Sequence, residues 1–349
     1  MLANKYRPSS LEEVVGQQHI VNSIINIVKI PMTEIPRCFL FYGKHGTGKT
    51  TLARLFATHL NCDTATSCGQ CSPCINIKQI CNEVDAAKNN SVDDMKKILN
   101  SLRFVIPFGK NRIVIIDEAH NLSKAAFDSM LKTLEDSSHI KVVFIMCTTD
   151  INKIPDTIQS RSISYSFHDV QPDICVSRLR EICDNEGIAI HNTSLMEIAK
   201  AGKGSVRDAI NVLSALNKSR NKSISYEEVR DYLGLLSNDT LFDLTDSLVD
   251  LNYNSTIAII ADILSKTSTV NMALSQIQKH VRNIIIVNDS LDERYKTKQY
   301  DPLFITGLLN NLIKCDERMT HSYNKRLTLE LYILKTITSY DIQCDSPAN

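Results

Sequence analysis

The stretch Gly43-Lys44-His45-Gly46-Thr47-Gly48-Lys49-Thr50 fits the pattern G-x-x-x-x-G-K-[ST], and it sits where few other folds are compatible with it. Before it runs Cys38-Phe39-Leu40-Phe41-Tyr42, a buried β-type segment; after it comes a helical pattern carrying Leu52, Leu55 and Phe56. Polyphosphate must be wrapped by backbone N–H groups, and glycines permit that close approach. The helix N-terminus that follows adds roughly half a positive charge. Lys49 meets the β- and γ-phosphates as a point charge, the Thr50 hydroxyl ligates Mg²⁺, and Thr51 completes the binding stretch. The competing reading is a glycine turn with no ligand.

A second signal lies downstream. Ile113-Val114-Ile115-Ile116-Asp117-Glu118-Ala119-His120 places two carboxylates at the carboxyl end of a buried strand, the edge where ligands sit in open parallel sheets. Asp117 is expected to hold Mg²⁺, directly or through water, and Glu118 to be the base that polarises an attacking water. His120 reads as structural. Alone, an Asp-Glu pair after a strand is usually a solvated loop entry; the phosphate loop upstream gives it meaning.

These motifs belong to a βα alternation over residues 1–168. Strands are expected at 38–42, 112–117, 142–147 and, as a weaker alternating edge, 163–167. Ser10-Leu11-Glu12-Glu13, Ser91-Val92-Asp93-Asp94 and Ser225-Tyr226-Glu227-Glu228 have capping-box spacing and predict helix starts. Phe127, Leu131 and Leu134 form one apolar helix face, which core packing explains. From residue 169 onward no convincing strand is seen. A small helical domain is expected over 169–236 and a terminal helical one over 237–342, with faces at Leu241, Leu244, Leu248 and Leu251, at Ile277, Val281 and Ile284, and at Leu327, Leu331 and Leu334. A frayed tail is expected over 343–349.

Composition bounds the partners. Lys+Arg 39 against Asp+Glu 39 leaves no net charge, so any DNA contact must come from a local patch or an assembly. Lys96, Lys97 and Arg103 are candidates, although a solvated helix face is the better explanation of them. No apolar run reaches the ~20 residues of a membrane span, and Met1 to Pro8 lacks a signal-peptide core, so a cytoplasmic protein with no membrane partner is expected. Eleven cysteines then point to reduced thiols. Four cluster as Cys62-x5-Cys68-x2-Cys71-x2-Cys74, the ligand count of a closed tetrahedral Zn²⁺ site, with Gly69 and Pro73 allowing tight turns. A structural zinc clip at 62–74 is the first reading; free core cysteines and an iron–sulfur cluster are the alternatives.

Taken in order, the phosphate loop, the four-cysteine insertion after its helix and Asp117-Glu118-Ala119-His120 resemble the gamma/tau subunits of bacterial DNA polymerase III, the AAA+ ATPases of the sliding-clamp loader. Tyr6-Arg7-Pro8 with Val14-Val15-Gly16-Gln17 is similar to the segment that frames the adenine in that family. Leu131-Lys132-Thr133-Leu134-Glu135 resembles its helix after the acidic strand, and Thr148-Thr149-Asp150 resembles sensor 1, where Thr149 would feel the γ-phosphate. Ser160-Arg161-Ser162 resembles its Ser-Arg-Cys motif, with Ser162 in the cysteine's place. Gly204-Ser205-Val206-Arg207-Asp208-Ala209 resembles sensor 2. The specific motifs cover residues 1 to about 235. The first cysteine gap, five residues, is shorter than relatives often have.

The resemblance implies an AAA+ P-loop NTPase domain with a parallel sheet, then a small helical lid and an all-α collar domain. It implies an ATP hydrolase within a DNA-directed DNA polymerase holoenzyme, using ATP, Mg²⁺ and Zn²⁺. Arg161 would act on ATP held by a neighbouring subunit, and Arg207 would reach the γ-phosphate of its own site. Implied partners are the delta and delta-prime subunits, further gamma copies, the sliding clamp and primer–template DNA. Because the sequence ends at Asn349, a gamma-like form is expected, with the polymerase core reached only through a longer tau-type form. A non-hydrolysing scaffold like delta-prime and a branch-migration helicase motor are the alternatives.

Overall fold

The apolar runs expected as strands at 38–42, 112–117 and 142–147 are strands. The computed structural model describes residues 2–31, 34–102, 111–135, 142–219, 223–286 and 293–344. Strands β1 (Cys38–Gly43), β2 (Cys81–Asp85), β3 (Arg112–Asp117), β4 (Val142–Thr148) and β5 (Ile163–Phe167) form one sheet in the order β2-β3-β4-β1-β5, with every pairing parallel. Central β4 is buried along its whole length, as a strand covered on both faces must be. Successive residues serve opposite layers. Phe39 and Phe41 pack with Leu52 and Phe56 of helix Lys49–Asn61 and with Ile20 and Ile24 of helix Gln18–Val28. Leu40 and Phe144 pack on the other face with Met95, Phe127 and Met130, from helices Val92–Ser101 and Lys124–Glu135.

The expected edge strand at 163–167 does lie at an edge. The opposite edge, β2, has no clear signature in the sequence: of Cys-Asn-Glu-Val-Asp only Val84 is buried, and pairing with β3 makes it a strand. Past residue 169, the expectation of no strand is corrected by a two-residue parallel pair, Ala189–Ile190 with Ser223–Ile224. The Ser91 box works as expected, its hydroxyl accepting from the Asp94 amide, and helices begin directly after Ser205 and Ser225. The Ser10 box does not open a helix. Glu13 instead turns back and accepts from the Ser9 amide and hydroxyl, both at 3.0 Å, while Leu11 and Val14 are buried. Long-range burial outweighs the local capping preference there.

The chain forms two compact units, 1–226 and 227–349. Helices Pro172–Glu186, Asn192–Ala201 and Val206–Leu216 belong to the first, with Leu179, Leu195 and Leu213 buried among them. The second is all helix among its described residues, with a core that includes Leu244, Leu248, Ile277, Val281 and Leu312. Its last helix, Lys325–Cys344, buries Leu329, Ile333 and Ile337, whereas Leu327 and Leu331 are 51% and 58% exposed. Of the expected face, Leu334 packs on the core while Leu327 and Leu331 do not: several apolar stripes wind round that helix, and tertiary packing selects among them. Among the described residues no single helix is long and apolar enough to cross a membrane. Arg103 and residues 345–349 of the expected tail lie outside the described residues.

Candidate functional site

Glycine geometry shapes the loop between β1 and helix Lys49–Asn61. Gly46, at φ +71°, lies so close to the lid that an added Cβ would sit 1.9 Å from the Ser205 hydroxyl. Gly48, at φ +103°, is different: a Cβ there would meet nothing within 4 Å. Gly48 is also the N-cap of the helix and makes no side-chain capping bond, so the first-turn amides are left for an anion from the cleft. Lys49 is buried, and its Nζ donates to the carbonyls of Gly43 (2.8 Å) and Lys44 (2.7 Å). Burial holds its pKa below the usual lysine value, against the raising influence of Cys147, Glu118 and Asp117. Lys44 pairs with Asp169 on the far side of the loop.

The Thr50 hydroxyl faces both oxygens of Asp117, at 3.1 and 3.0 Å. That pairing joins the helix start to the end of β3, and it is the arrangement a Mg²⁺ site uses, with oxygen donors on one side and room for phosphate on the other. Glu118 follows in the left-handed region, φ 51° and ψ 44°, a conformation that costs a non-glycine residue on the order of 1 kcal/mol. Its side chain thereby turns into the same cleft, 3.3 Å from His45 Nδ1 and 3.4 Å from His120 Nδ1.

The cleft encloses about 220 Å³ and is lined by His45 to Thr51, Asp117, Glu118 and Arg207. Tyr6, Arg7, Pro8, Val14 and Val15 line it as well. Thus the N-terminal segment and the phosphate loop, far apart in sequence, share one cavity. Arg7 donates to the Thr51 hydroxyl at 3.0 Å, and burial, helped by the nearby charges of Arg54 and Arg207, lowers its pKa. A residue that sequence reasoning missed, Arg178, also lines the cleft. Its side chain is only 13% exposed and donates to the Tyr6 carbonyl at 3.2 Å, while Tyr6 donates from its hydroxyl to Glu186 at 2.6 Å. No local motif marks Arg178; it matters only because its helix packs against the N-terminal segment.

Thr149 stands behind Glu118 and donates to its carboxylate at 3.5 Å. Arg161 is not a lining residue of the cleft; it bonds to the Thr157 carbonyl at 3.1 Å on the turn before β5. Ser162 anchors that turn, donating to the Ile158 carbonyl at 2.7 Å and lying 3.0 Å from Cys38 Sγ. Lys96 and Lys97 lie near Asp93 and Asp94, at 3.8 and 3.7 Å, in keeping with a solvated helix face.

The four cysteines converge. Sγ atoms of Cys62, Cys68, Cys71 and Cys74 all lie within 4.8 Å of one another. A tetrahedral zinc site with Zn–S of about 2.3 Å needs sulfurs roughly 3.8 Å apart, so a small contraction suffices. Amides of Cys68 and Cys71 donate to the sulfurs of Cys62 and Cys68, each at 3.4 Å, and such bonds favour thiolates. Burial pushes the Cys62 thiol up, but the Thr64 hydroxyl and the amides of Cys68, Thr66 and Thr64 outweigh it and bring its pKa down to about 5. The donor set fits zinc.

Comparison with known proteins agrees with this geometry. The family described as DNA polymerase III, delta subunit, matches residues 16–171, and the clamp-loader ATPase lid domain of DNA polymerase III matches residues 175–214. DNA polymerase III subunit gamma of Buchnera aphidicola subsp. Baizongia pistaciae is 36% identical over 258 residues, covering 72% of this chain and 69% of that one. The gamma subunit of Buchnera aphidicola subsp. Schizaphis graminum is 30% identical over 97% of this chain and 98% of its own. The Escherichia coli tau subunit is 34% identical over 76% of this chain, which spans 42% of tau's length. Among solved structures, the Thermotoga maritima RuvB Holliday junction branch migration motor aligns with TM-score 0.53 at 21% identity, covering 78% of this chain and 91% of that one, a likeness of fold alone. A parallel-sheet AAA+ P-loop domain with a helical lid and a helical C-terminal region, carrying these matches, belongs to the gamma/tau subunit family of the bacterial DNA polymerase III clamp loader.

Proposed function

We propose that the chain is an ATP-hydrolysing subunit of a clamp loader, whose ATP binding and hydrolysis drive the opening of a sliding clamp and its placement on primed DNA. The observation that carries this reading is the meeting of Lys49, Thr50, Asp117 and Glu118 in one cleft. Lys49 exchanges its two loop carbonyls for phosphate oxygens, whose negative charge adds ion pairing to the bonds its ammonium already makes. Thr50 and Asp117 hold Mg²⁺, which neutralises charge developing on the phosphates. Glu118 takes a proton from water as the water oxygen bonds to the γ-phosphorus and the bond to the β-phosphate oxygen breaks. Thr149 and Arg207 register the γ-phosphate from two sides.

Arg161, remote from its own cleft, suits the site of a neighbouring copy, where a guanidinium stabilises the spread charge of the transition state. Because a γ-phosphate shared between subunits contacts them differently when bound and when cleaved, its loss can reset the assembly. The four cysteines hold Zn²⁺ as a structural clip, four thiolates leaving no position open for water.

The test is ATP turnover by the chain assembled with delta and delta-prime subunits, with and without clamp and primed DNA. Stimulation by both together is expected. Turnover indifferent to both argues against loading and leaves a bare ATPase.

A further inference from the structure

The His of Asp117-Glu118-Ala119-His120 reads as structural in the sequence, yet its ring faces Glu118. Glu118 Oε2 lies 3.4 Å from His120 Nδ1 and 3.5 Å from the Thr149 hydroxyl, while Oε1 lies 3.3 Å from His45 Nδ1. The two imidazoles differ in how firmly they are held: His45 is 76% exposed on the phosphate loop, His120 only 15%.

A hydrogen count fixes what His120 offers. The Thr148 hydroxyl is fully buried, has one hydrogen, and donates it to the Asp150 carbonyl at 3.0 Å. One of its lone pairs accepts the Asp150 amide at 3.1 Å. His120 Nδ1 lies 3.1 Å from the same oxygen, and with the hydroxyl hydrogen on the Asp150 carbonyl it is Nδ1 that donates. The same Nδ1 lies 3.4 Å from Glu118 Oε2, so a small rotation of the ring brings its N–H onto the carboxylate. The backbone adds a reason for such support. Glu118 is left-handed at φ 51°, a conformation that persists where surrounding contacts over-determine it.

We infer that His120 is a positioning residue for ATP hydrolysis: its ring, kept beside Thr148, turns its Nδ1–H onto Oε2 of Glu118 during turnover, so that Oε1 is turned toward the water it activates. His45 lies 3.3 Å from that oxygen but belongs to the exposed loop that would wrap phosphate, so His120 is the firmer support. The inference rests on Glu118 being the base.

The test exploits side-chain geometry. An Asn amide nitrogen can take the place of Nδ1, whereas a Gln amide reaches only as far as Nε2. His120→Asn is expected to keep turnover at saturating ATP within about fivefold of the unmodified chain. His120→Gln and His120→Ala are expected to lose about 10- to 50-fold, a part of the 10²–10⁴ that a positioned base supplies. All three should bind a slowly hydrolysed ATP analogue within twofold of the unmodified chain and melt at similar temperatures.

In a Glu118→Gln background, His120→Ala should cost less than twofold more, because the group it positions is gone. Equal turnover in the Asn and Gln variants, an Ala variant within twofold of the unmodified chain, or a full further loss in the Glu118→Gln background overturns the inference. The Asn–Gln contrast stands even if the Ala variant fails to fold. A Glu118→Gln chain that itself hydrolyses ATP normally defeats the base assignment, a result separate from any outcome at His120.

Discussion

Thr50 and Asp117, 67 residues apart, meet hydroxyl to carboxylate at 3.0–3.1 Å, and in doing so join the phosphate loop to the acidic end of β3. A Mg²⁺ ligand pair requires that proximity, and the sheet order supplies it, because β4 lies between β1 and β3 and aligns their carboxyl ends. Replacing Asp117 with Asn keeps a hydrogen-bonding group but removes the charge that a divalent cation needs. Turnover should fall at least 100-fold, with added Mg²⁺ restoring little; titration of rate against Mg²⁺ checks this.

Lys49→Ala should abolish nucleotide retention. Its Nζ now satisfies two loop carbonyls, and bonds from a charged donor contribute about 1.5–3 kcal/mol each. A rise in Kd of 100-fold or more is expected by calorimetry with ATP and Mg²⁺. Glu118→Gln, by contrast, should leave that Kd within a few fold while turnover falls more than 100-fold.

Arg178→Ala should separate binding from chemistry. The mostly covered guanidinium ties helix Pro172–Glu186 to the Tyr6 carbonyl, so its loss loosens the wall that the N-terminal segment forms. KM for ATP should rise about 3- to 10-fold with kcat within twofold. Steady-state kinetics decide it, and a fall in kcat at unchanged KM would contradict this role.

Zinc is tested by metal analysis of the purified chain, where close to one equivalent is expected and under about half an equivalent counts against the site. Cys62→Ser should lower both the metal content and the melting temperature, because Cys62 ends helix Lys49–Asn61 and joins it to the cysteine loop.

Acid should weaken the second unit through His280, which is buried against Phe242 and hydrogen-bonded to Thr245 at 3.0 Å and Tyr295 at 2.7 Å. Burial lowers its pKa from 6.5 to about 4, so the folded chain keeps the ring neutral while the unfolded chain protonates it below pH 6.5. Its contribution is complete above pH 6.5 and is lost as pH falls toward 4, on the order of 3 kcal/mol in all. Thermal melts at pH 7 and pH 4.5 should show a smaller acid-induced drop for His280→Gln than for the unmodified chain.

Much of the phosphate end was legible in the chain itself, because its demands are local. Gly48 and Lys49 must adjoin a helix start, and Asp117 must end a buried strand, so spacing and apolar runs suffice to find them. Strands β1, β3 and β4 announce themselves for the same reason: burial on both faces writes a continuous apolar run. Strand β2 does not, since only Val84 is fully buried and pairing with β3 defines the rest.

What sequence alone determined, then, is the βα succession, the phosphate loop, the acidic pair and a four-thiol cluster, each fixed by neighbours a few residues away. Tertiary structure decided the rest. It placed Arg178 against Tyr6, set His120 beside Thr148, buried Leu11 and Val14 where a helix start was expected, and chose Leu329, Ile333 and Ile337 over Leu327 and Leu331 as the buried stripe of the last helix. The physical reason is that contacts between distant segments depend on how whole layers pack. Burial and hydrogen bonding there outweigh the few tenths to ~1 kcal/mol by which local propensities differ.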